Sequence, residues 1–451
     1  MDELFDLPAA DPAPTPERGR GQPRVSRPER HQVALHLADL DACLPPDHRA
    51  RIIWRFVEGL VARADLDPLY ERIRSLDGGA GRPAIDPAIL VALWLLATAE
   101  EIGSSRALER LCDEHDAYRW ICGGVSVNYH TLSDFRVADP DLLERILVGG
   151  VTALADQRLI SLERVAGDGM RVRAAAGARS FGRRERLEAL RDAALERVAR
   201  LRAELDDDPA ATSRRIAAAN ARAAREMAER ADAAIAVLPE IEAQKAARTY
   251  RGDREAPPRA SATDHEARFM DFADRGKRPA LNVQFASTTA GGIIAAVDVV
   301  NCTDQRQLAP MAERLSAAYG EGQICELLFD GGYAHLDTIT DLAAHGITVY
   351  CPVQTARRGS TRDPHVPLGT DSEAGAAWRV RMGTEEAQQI YRERAATAEL
   401  VNAQARNRGL TRFRVRGRHK ARAVALWYAL THNLFREVSL RAARDAALAA
   451  G

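Results

Sequence analysis

Apolar residues recur at three- and four-residue steps from about Asp47 to Ile160, the spacing of helices. "RARIIWRFVEGLVAR" and "ILVALWLLATAEE" carry the pattern, and Asp86-Pro87 reads as N-cap and first residue of the second. "SSRALERLCDEHDAYRWICG" predicts a helix that starts on serines and stops at Gly123-Gly124. "NYHTLSDFR" (Asn128–Arg136) predicts another, with Thr131 as cap and Asp134 three residues on, close to a capping box. Short helices packed on an apolar one suit either a helix-turn-helix-like DNA reader or a plain packing domain.

The pattern changes at "SLERVAGDGMRVRAAAG" (Ser161–Gly177), whose loose alternation predicts strand, interrupted by turn residues at its centre. Leu187, Leu190, Ala194, Val198, Leu201 and Leu205 then mark the stripe of one long helix. "DDDPAA" (Asp206–Ala211) breaks it, and a second helix follows with Ile216, Ala223 and Met227 on one face. The pair predicts an antiparallel helical hairpin with a solvated charged surface. From Pro279 onward "ALNVQFASTT" and "GIIAAVDVVN" form a hairpin around "TAGG". "DQRQLAPMAERLSAAYG" is a helix, "ICELLFD" a central strand covered on both faces, "HLDTITDLAAHG" a helix and "ITVYCPV" another buried-type strand. A polar loop (Gln354–Ala377) leads into the long helical "TEEAQQIYRERAATAELVNAQARNRG". This order predicts an α/β fold, a mixed sheet with helices on both faces.

Composition adds little. The chain has 451 residues, 46% hydrophobic and 28% charged, with a net charge of −1, so overall charge argues neither for nor against a nucleic-acid partner. The longest apolar run, Ala88–Ala99, is too short to span a bilayer. The N-terminal "MDELFDLPAADPAPTPERGRGQPR" has no signal-peptide core and reads as a disordered Pro/Arg-rich lead-in. The six cysteines form no C-x-x-C pair and no zinc spacing, which points to a reducing cytoplasm. No G-x-x-x-x-G-K-[ST] loop is present, so no nucleotide cofactor is expected.

The candidate chemistry lies at two Asp-Gly steps. Asp330, in "ELLFDGGYAH", stands where a central strand empties at its carboxyl end, the edge at which α/β sheets collect ligands. Asp168, in "AGDGMRVRA", interrupts the first strand region in a comparable way. Each step alone reads as a turn first; two of them, on strands that could lie side by side, put the site reading level with it. Two carboxylates converging in a poorly solvated place need a cation, and Mg²⁺, with its preference for oxygen ligands and substrate phosphates, is the natural one. A third acid is expected from another element, and Glu399 on the long helix is available.

"DGMRVRA", "ALNVQFAS", "ELLFDGGY" and "YRERAATAE", in this order, resemble a bacterial insertion-sequence DDE transposase with an N-terminal helical domain and a ribonuclease-H-like catalytic core. "HDAYRWICGG" and "NYHTLSDFR" extend the likeness from about His31 to Arg436. The resemblance implies Asp168, Asp330 and Glu399 as catalytic and metal-holding residues for two Mg²⁺ ions, with Mn²⁺ as an alternative. It implies Tyr391, Arg394 and Arg406 as the accompanying tyrosine, arginine and basic residue. Arg394 is five positions before Glu399 instead of four, about 140° away on an α-helix, whereas Arg392 and Arg406 fall within about 20° of it. The resemblance thus points to Arg394 and the helical angle to Arg392, and which of the two partners Glu399 stays open at this point. Leu281 also stands where an aromatic is common, which concerns packing.

The implied organisation is a lead-in at residues 1–30 and a helical DNA-binding domain at 31–158. The catalytic domain is 159–440, with the hairpin inserted at 183–250, and 441–451 is a tail. The implied activity is metal-dependent strand cleavage and transfer, acting as a homodimer on double-stranded DNA, both terminal inverted repeats and target, in the bacterial cytoplasm at the nucleoid. A transposase-derived DNA-binding protein without catalysis and a ribonuclease-H-like nuclease without transfer are the alternatives. The basic run "RNRGLTRFRVRGRHKAR" (Arg406–Arg422) supports the DNA partner independently of the family. An extended "RFRVR" would bury Phe413 and Val415 and present Arg412, Arg414 and Arg416 to phosphates, with Lys420 beyond. Asp264-His265 is expected in a cap or loop, His432-Asn433 as a core-facing polar pair, and His335 as a weaker DNA-contact candidate.

Overall fold

The computed structural model describes residues 39–75, 83–207, 211–246, 256–354 and 362–450. The chain divides into Met1–Asp39 and Leu40–Gly451, and the expected lead-in lies outside the described residues. In the larger unit the helix Pro87–Ala99 buries every residue from Pro87 to Thr98. A helix apolar all round has no solvent face and must be enclosed. Asp86 caps it, accepting from Ala88 N at 2.8 Å, and Pro87 occupies the first turn, where no N–H is needed. Around it pack Arg49–Ala62, Tyr129–Ala138 and the long final helix Arg418–Ala450.

Two local expectations in this layer are corrected. Ser104 to Cys122 forms two helices, Ser105–Glu114 and Asp116–Cys122, because His115 takes an extended backbone and its Nδ1 accepts from Ala117 N, starting a new helix. The helix Tyr129–Ala138 is capped by Asn128, whose Oδ1 accepts from Thr131 N at 2.9 Å, so Thr131 lies inside the first turn and is not the cap.

The main sheet comprises β1 (Arg164–Arg173), β4 (Arg268–Asp271), β5 (Lys277–Thr288), β6 (Ile294–Val300), β7 (Glu326–Leu328) and β8 (Thr348–Tyr350). Its order is β4-β5-β1-β7-β8, with β6 also on β5; β2 (Phe181–Gly182) and β3 (Ala260–Ser261) make a separate small ribbon. β1 runs antiparallel to β5 and parallel to β7. The β5–β6 hairpin turns at Gly291 and Gly292, whose φ of 99° and 64° are costly for other residues. Apolar residues of β1 and β5, among them Met170, Val172, Val283 and Phe285, join the N-terminal helices and the final helix in one core. Val165, Leu327, Leu328 and Val349 join the helices Leu308–Tyr319 and Leu336–Ala344 in a second. The result is a mixed α/β protein, 58% helical, with a curled mixed sheet flanked by helices, consistent with a ribonuclease-H-like core and a helical N-terminal region.

The hairpin is formed by Arg184–Asp207 and Ala211–Ala236, which pack on each other. Its first helix buries Leu187, Ala194 and Val198 as expected, but Ile216, Ala223 and Met227 all face solvent. The buried face of the second helix is Ala221, Ala224, Ala228, Ala231 and Ala234. Small side chains let two helix backbones approach closely, so alanine and not the larger residue marks the inner face. The final helix continues through residues 441–450, the expected tail, with exposed side chains beyond Ala442. No helix among the described residues is long and apolar enough to cross a membrane.

Candidate active site

β1 does not turn at Gly167-Asp168-Gly169. It pairs straight through, with Asp168 opposite Phe285. The glycines there serve close approach: a Cβ on Gly167 would stand 2.2 Å from Phe329 Cζ, and one on Gly169 would stand 1.9 Å from Asp304 Oδ1. Parallel register pairs Ala166 with Leu328, so Asp168 and Asp330 each stand two residues past the last paired position on adjacent strands. Asp330 is exposed and caps the turn Gly331–Tyr333, accepting from Gly331 N at 2.7 Å.

The long helix is three consecutive pieces: Glu385–Arg394, a π-helical segment Ala395–Glu399, and Leu400–Asn407. The wider π turn brings residues five apart onto one face, as such bulges do at many functional sites. Arg394, with its side chain 9% exposed, therefore bonds Asp168 Oδ1 at 3.0 Å through Nη2 and Glu399 Oε1 at 3.3 Å through Nη1. Of the two arginines it is therefore Arg394 that contacts Glu399, against the helical angle that pointed to Arg392. Arg392 is exposed and its Nη1 donates to Gln389 Oε1, while the α-helical angle used for Arg394 does not apply across a π turn. Arg164 fixes this helix against β1, pairing with Glu326 and, at 2.7 Å, with Glu393.

Burial opposes the charge of Arg394, but Asp168 foremost, then Tyr391, Asp330 and Glu399, hold its pKa above the usual arginine range. For Asp168 burial is the largest influence and raises its pKa, with Asp304 adding to it, although Arg394 and hydrogen bonds from Gly169 N and Asn402 Nδ2 act against the rise. Arg394 thus bonds two acids from separate segments, Asp168 and Glu399, and is coupled to Asp330 only through the field between them. Tyr391 is half-buried nearby, its phenol pushed up to about 12, first by burial and further by Asp330 and Asp168.

Asp304 is a fourth carboxylate at the site, absent from the sequence reading because it stands there as the first residue of the helix "DQRQLAPMAERLSAAYG", whereas the helix begins only at Leu308. Its Oδ1 accepts from Asn282 Nδ2 at 2.8 Å and Gln284 Nε2 at 3.0 Å, and lies 3.2 Å from the Tyr333 hydroxyl. The inward polar residues Asn282 and Gln284 in an otherwise apolar β5 were the available signal.

Among the described residues, no three His, Cys, Asp or Glu side chains are arranged to hold a metal ion; the arginine stands among the acids. The donor chemistry nevertheless fits a hard cation. The set is carboxylate oxygen throughout, and two further buried oxygens, Asn282 Oδ1 and Asn402 Oδ1, lack any hydrogen-bond partner.

Of the other expected residues, Arg406, Arg412, Arg414, Arg416 and Lys420 are exposed. Phe413 is buried, Val415 half-buried, and the stretch extends along the end of β1, with Phe413 N donating to Arg173 O at 2.8 Å. Asp264 is a loop organiser: its carboxylate accepts from the N–H groups of Gly417 and Glu266. His432 bonds Gly292 O and Asn433 bonds Ile294 N and O, pinning the β5–β6 hairpin. His335 stands 3.7 Å from Asp337.

Two family models match the chain, one described as Transposase domain (DUF772) over residues 38–138 and one as Transposase DDE domain over residues 349–437. The two matches support an insertion-sequence DDE transposase. The second covers Tyr391, Arg394 and Glu399, while Asp168 and Asp330 lie outside both. No curated protein and no solved structure matches the chain.

Proposed function

We propose that this transposase cleaves DNA at the ends of an insertion sequence and joins them to target DNA, with Asp168, Asp330 and Glu399 as its catalytic carboxylates. The observation that carries the reading is the shared contact of Arg394 with Asp168 and Glu399, together with its electrostatic coupling to Asp330. Asp168 and Glu399, remote in sequence, meet on one guanidinium beside Asp330, which supports a shared role for the three. Mg²⁺ or Mn²⁺, held by these three residues together with DNA phosphate oxygens, would stabilise charge on the attacking and leaving oxygens.

The chain's own residues do the remainder. Arg394 orients Asp168 and Glu399 and offsets their repulsion in the free enzyme. Asn402 fixes the second oxygen of Asp168. A water hydroxyl attacks the phosphodiester at the element's end, the bond to the 3′ oxygen breaks, and the freed 3′-hydroxyl attacks a target phosphodiester. Each step exchanges one P–O bond for another, so no nucleotide hydrolysis is needed, and positioning dominates. Tyr391, Arg392, Arg406, Arg412, Arg414, Arg416 and Lys420 contact the DNA backbone. The helical domain at 31–158 reads the terminal repeats, and two chains hold two ends in the bacterial cytoplasm.

The test is strand cleavage and joining of a duplex carrying the element's end, with Mg²⁺, by the wild-type protein and Asp330→Asn. Cleavage and joining lost only in the variant support the reading. Equal cleavage by both proteins removes the assignment. Binding without cleavage by the wild type indicates a repurposed DNA-binding protein, and cleavage without joining a nuclease.

A further inference from the structure

A second concentration of positive charge lies away from the carboxylates, where the N-terminal helices meet the segment after the long helix. A cleft of about 320 Å³ is lined there by Glu101, Gly103 and Arg136 from one side and by Arg412 and Arg414 from the other. Arg136 is the unusual member. It is 9% exposed, its Nη1 donates to Gly103 O at 2.9 Å, and its Nε has no partner. Its guanidinium stacks on Trp94 at 4.6 Å from the ring centroid. Among the described residues it makes no ion pair with any carboxylate, and neither do Arg412 and Arg414.

A buried charge without a counter-ion is costly, and arginines that serve as internal struts are normally matched by an acid. Here Arg414, which lies across the same Gly103 whose carbonyl Arg136 bonds, is like in sign. Burial presses the Arg136 pKa down to about 10, opposed by Tyr428 and aided to a smaller extent by Arg414, which still leaves it cationic at neutral pH. The Arg414 side chain lies across Gly103, where a Cβ would come within 3.3 Å of its Nε. The one acid lining the cleft, Glu101, makes no ion pair with these arginines and leaves the charge balance positive.

We propose that this cleft is a DNA phosphate site, in which Arg136 and Arg414 grip one phosphodiester between the helical layer and the basic segment Arg412–Arg416. A planar guanidinium suits a phosphate's paired oxygens, and the arriving anion supplies the counter-charge that Arg136 lacks. The site would fix the duplex relative to the helix that carries Glu399, because residues 409–414 follow that helix directly. It rests on the transposase reading for its ligand but not on the catalytic assignment.

The experiment measures the affinity of the full chain for a fluorescent 30-base-pair duplex as salt is varied, about one unit of log–log slope being expected per phosphate contact. Arbitrary sequence suffices, since phosphate contacts carry no sequence information. Arg136→Gln and Arg414→Gln should each weaken binding about tenfold and flatten the slope by about one. Gly103→Asp, which places an anion in the cleft while leaving both arginines, should do the same and keeps the test decisive if Arg136→Gln does not fold. Inorganic phosphate should raise the melting temperature over chloride at equal ionic strength by more in the wild type than in Gly103→Asp, since the general stabilising effect of the salt is common to both. Unchanged slopes in Gly103→Asp and in folded Arg136→Gln overturn the site, as does a phosphate response with no effect on duplex binding, which would mark a site for the free ion. In both cases Mg²⁺-dependent cleavage by the wild type keeps the transposase reading intact. A wild type that binds no duplex at all removes both.

Discussion

Arg394 and Glu399 are five residues apart in a helix, yet they meet at 3.3 Å because the turn between them, Ala395–Glu399, is π-helical. The same guanidinium reaches Asp168 at 3.0 Å. Arg394→Gln should therefore lower stability by about 3 kcal/mol, chiefly by leaving Asp168 without its cation in a largely buried setting. The Glu399 contact adds little, since that side chain is 59% exposed. Arg394→Lys should restore only part of the loss, because one ammonium cannot reproduce two hydrogen bonds from separate nitrogens. Arg392→Gln, at an exposed position, should change stability by no more than about 0.5 kcal/mol. Urea unfolding midpoints of the four proteins provide the comparison.

The approach of Asp304 to β1 yields a second expectation. A methyl group on Gly169 would overlap Asp304 Oδ1, at 1.9 Å, and crowd Gln284 Nε2, at 2.6 Å. Gly169→Ala should thus destabilise by about 1–3 kcal/mol, the usual range for overpacking, although alanine normally improves on glycine in a strand. Asp304→Ala alone should also destabilise, by leaving Asn282 Nδ2 without its closest acceptor. In the double variant the overlap with Asp304 is gone while the crowding by Gln284 Nε2 remains, so its loss should be at least about 1 kcal/mol smaller than the sum of the singles. Strict additivity would mean that Gly169 and Asp304 do not press on one another.

How far the sequence reveals this arrangement can be judged from such residues. The order of β1, β5, β6, β7, β8 and the helices Leu308–Tyr319 and Leu336–Ala344 follows from apolar periodicity, because those elements bury a regular face. The short strands β2, β3 and β4 do not follow from it, nor does the helix Glu373–Met382, which starts inside the expected loop Gln354–Ala377. Asp330 is visible because a hydrophobic run ends on it. The partner of Glu399 is not, since a π turn leaves no mark in composition and an ideal α-helix places Arg392 on the Glu399 face. Asp304 and Arg136 are hidden for a different reason: each acquires its surroundings from segments remote in sequence, Asn282 and Gln284 for the first and residues 412–414 for the second. The inner face of the helical hairpin is hidden because the second helix is rich in alanine on several faces. Its larger residues Ile216 and Met227 mark the solvent side, while Ala221, Ala224, Ala228, Ala231 and Ala234 pack inward.

His432 gives the chain a pH dependence of definite sign. Burial is the main cause of its low pKa, about 4 against an ordinary 6.5, partly opposed by the bond to Gly292 O. In the folded state the ring is neutral down to about pH 4, while in the unfolded chain it takes up a proton below about 6.5. The unfolded state thus binds more protons in that window, and stability falls as pH falls through it. The full gap corresponds to about 3 kcal/mol. His432→Gln, which can still donate to Gly292 O, should have a visibly flatter stability profile between pH 6.5 and 4 in urea titrations. An unchanged slope would mean that His432 is already solvated in the folded protein.

Phe413 and its flanking arginines should separate stability from DNA affinity. Phe413 is 1% exposed and its backbone N–H bonds Arg173 O at 2.8 Å, so the ring anchors the basic segment to the end of β1. Phe413→Ala should cost about 3–5 kcal/mol in unfolding free energy. It should also weaken duplex binding, because Arg412 and Arg414 lose the extended backbone that holds them on one side. Arg416→Gln, at the exposed end of the segment, should leave the unfolding midpoint unchanged and reduce duplex affinity with a slope change of about one. If Phe413→Ala lowered stability without touching affinity, the arginines would not depend on the extended segment for their placement, and the basic run would act as an unstructured charge.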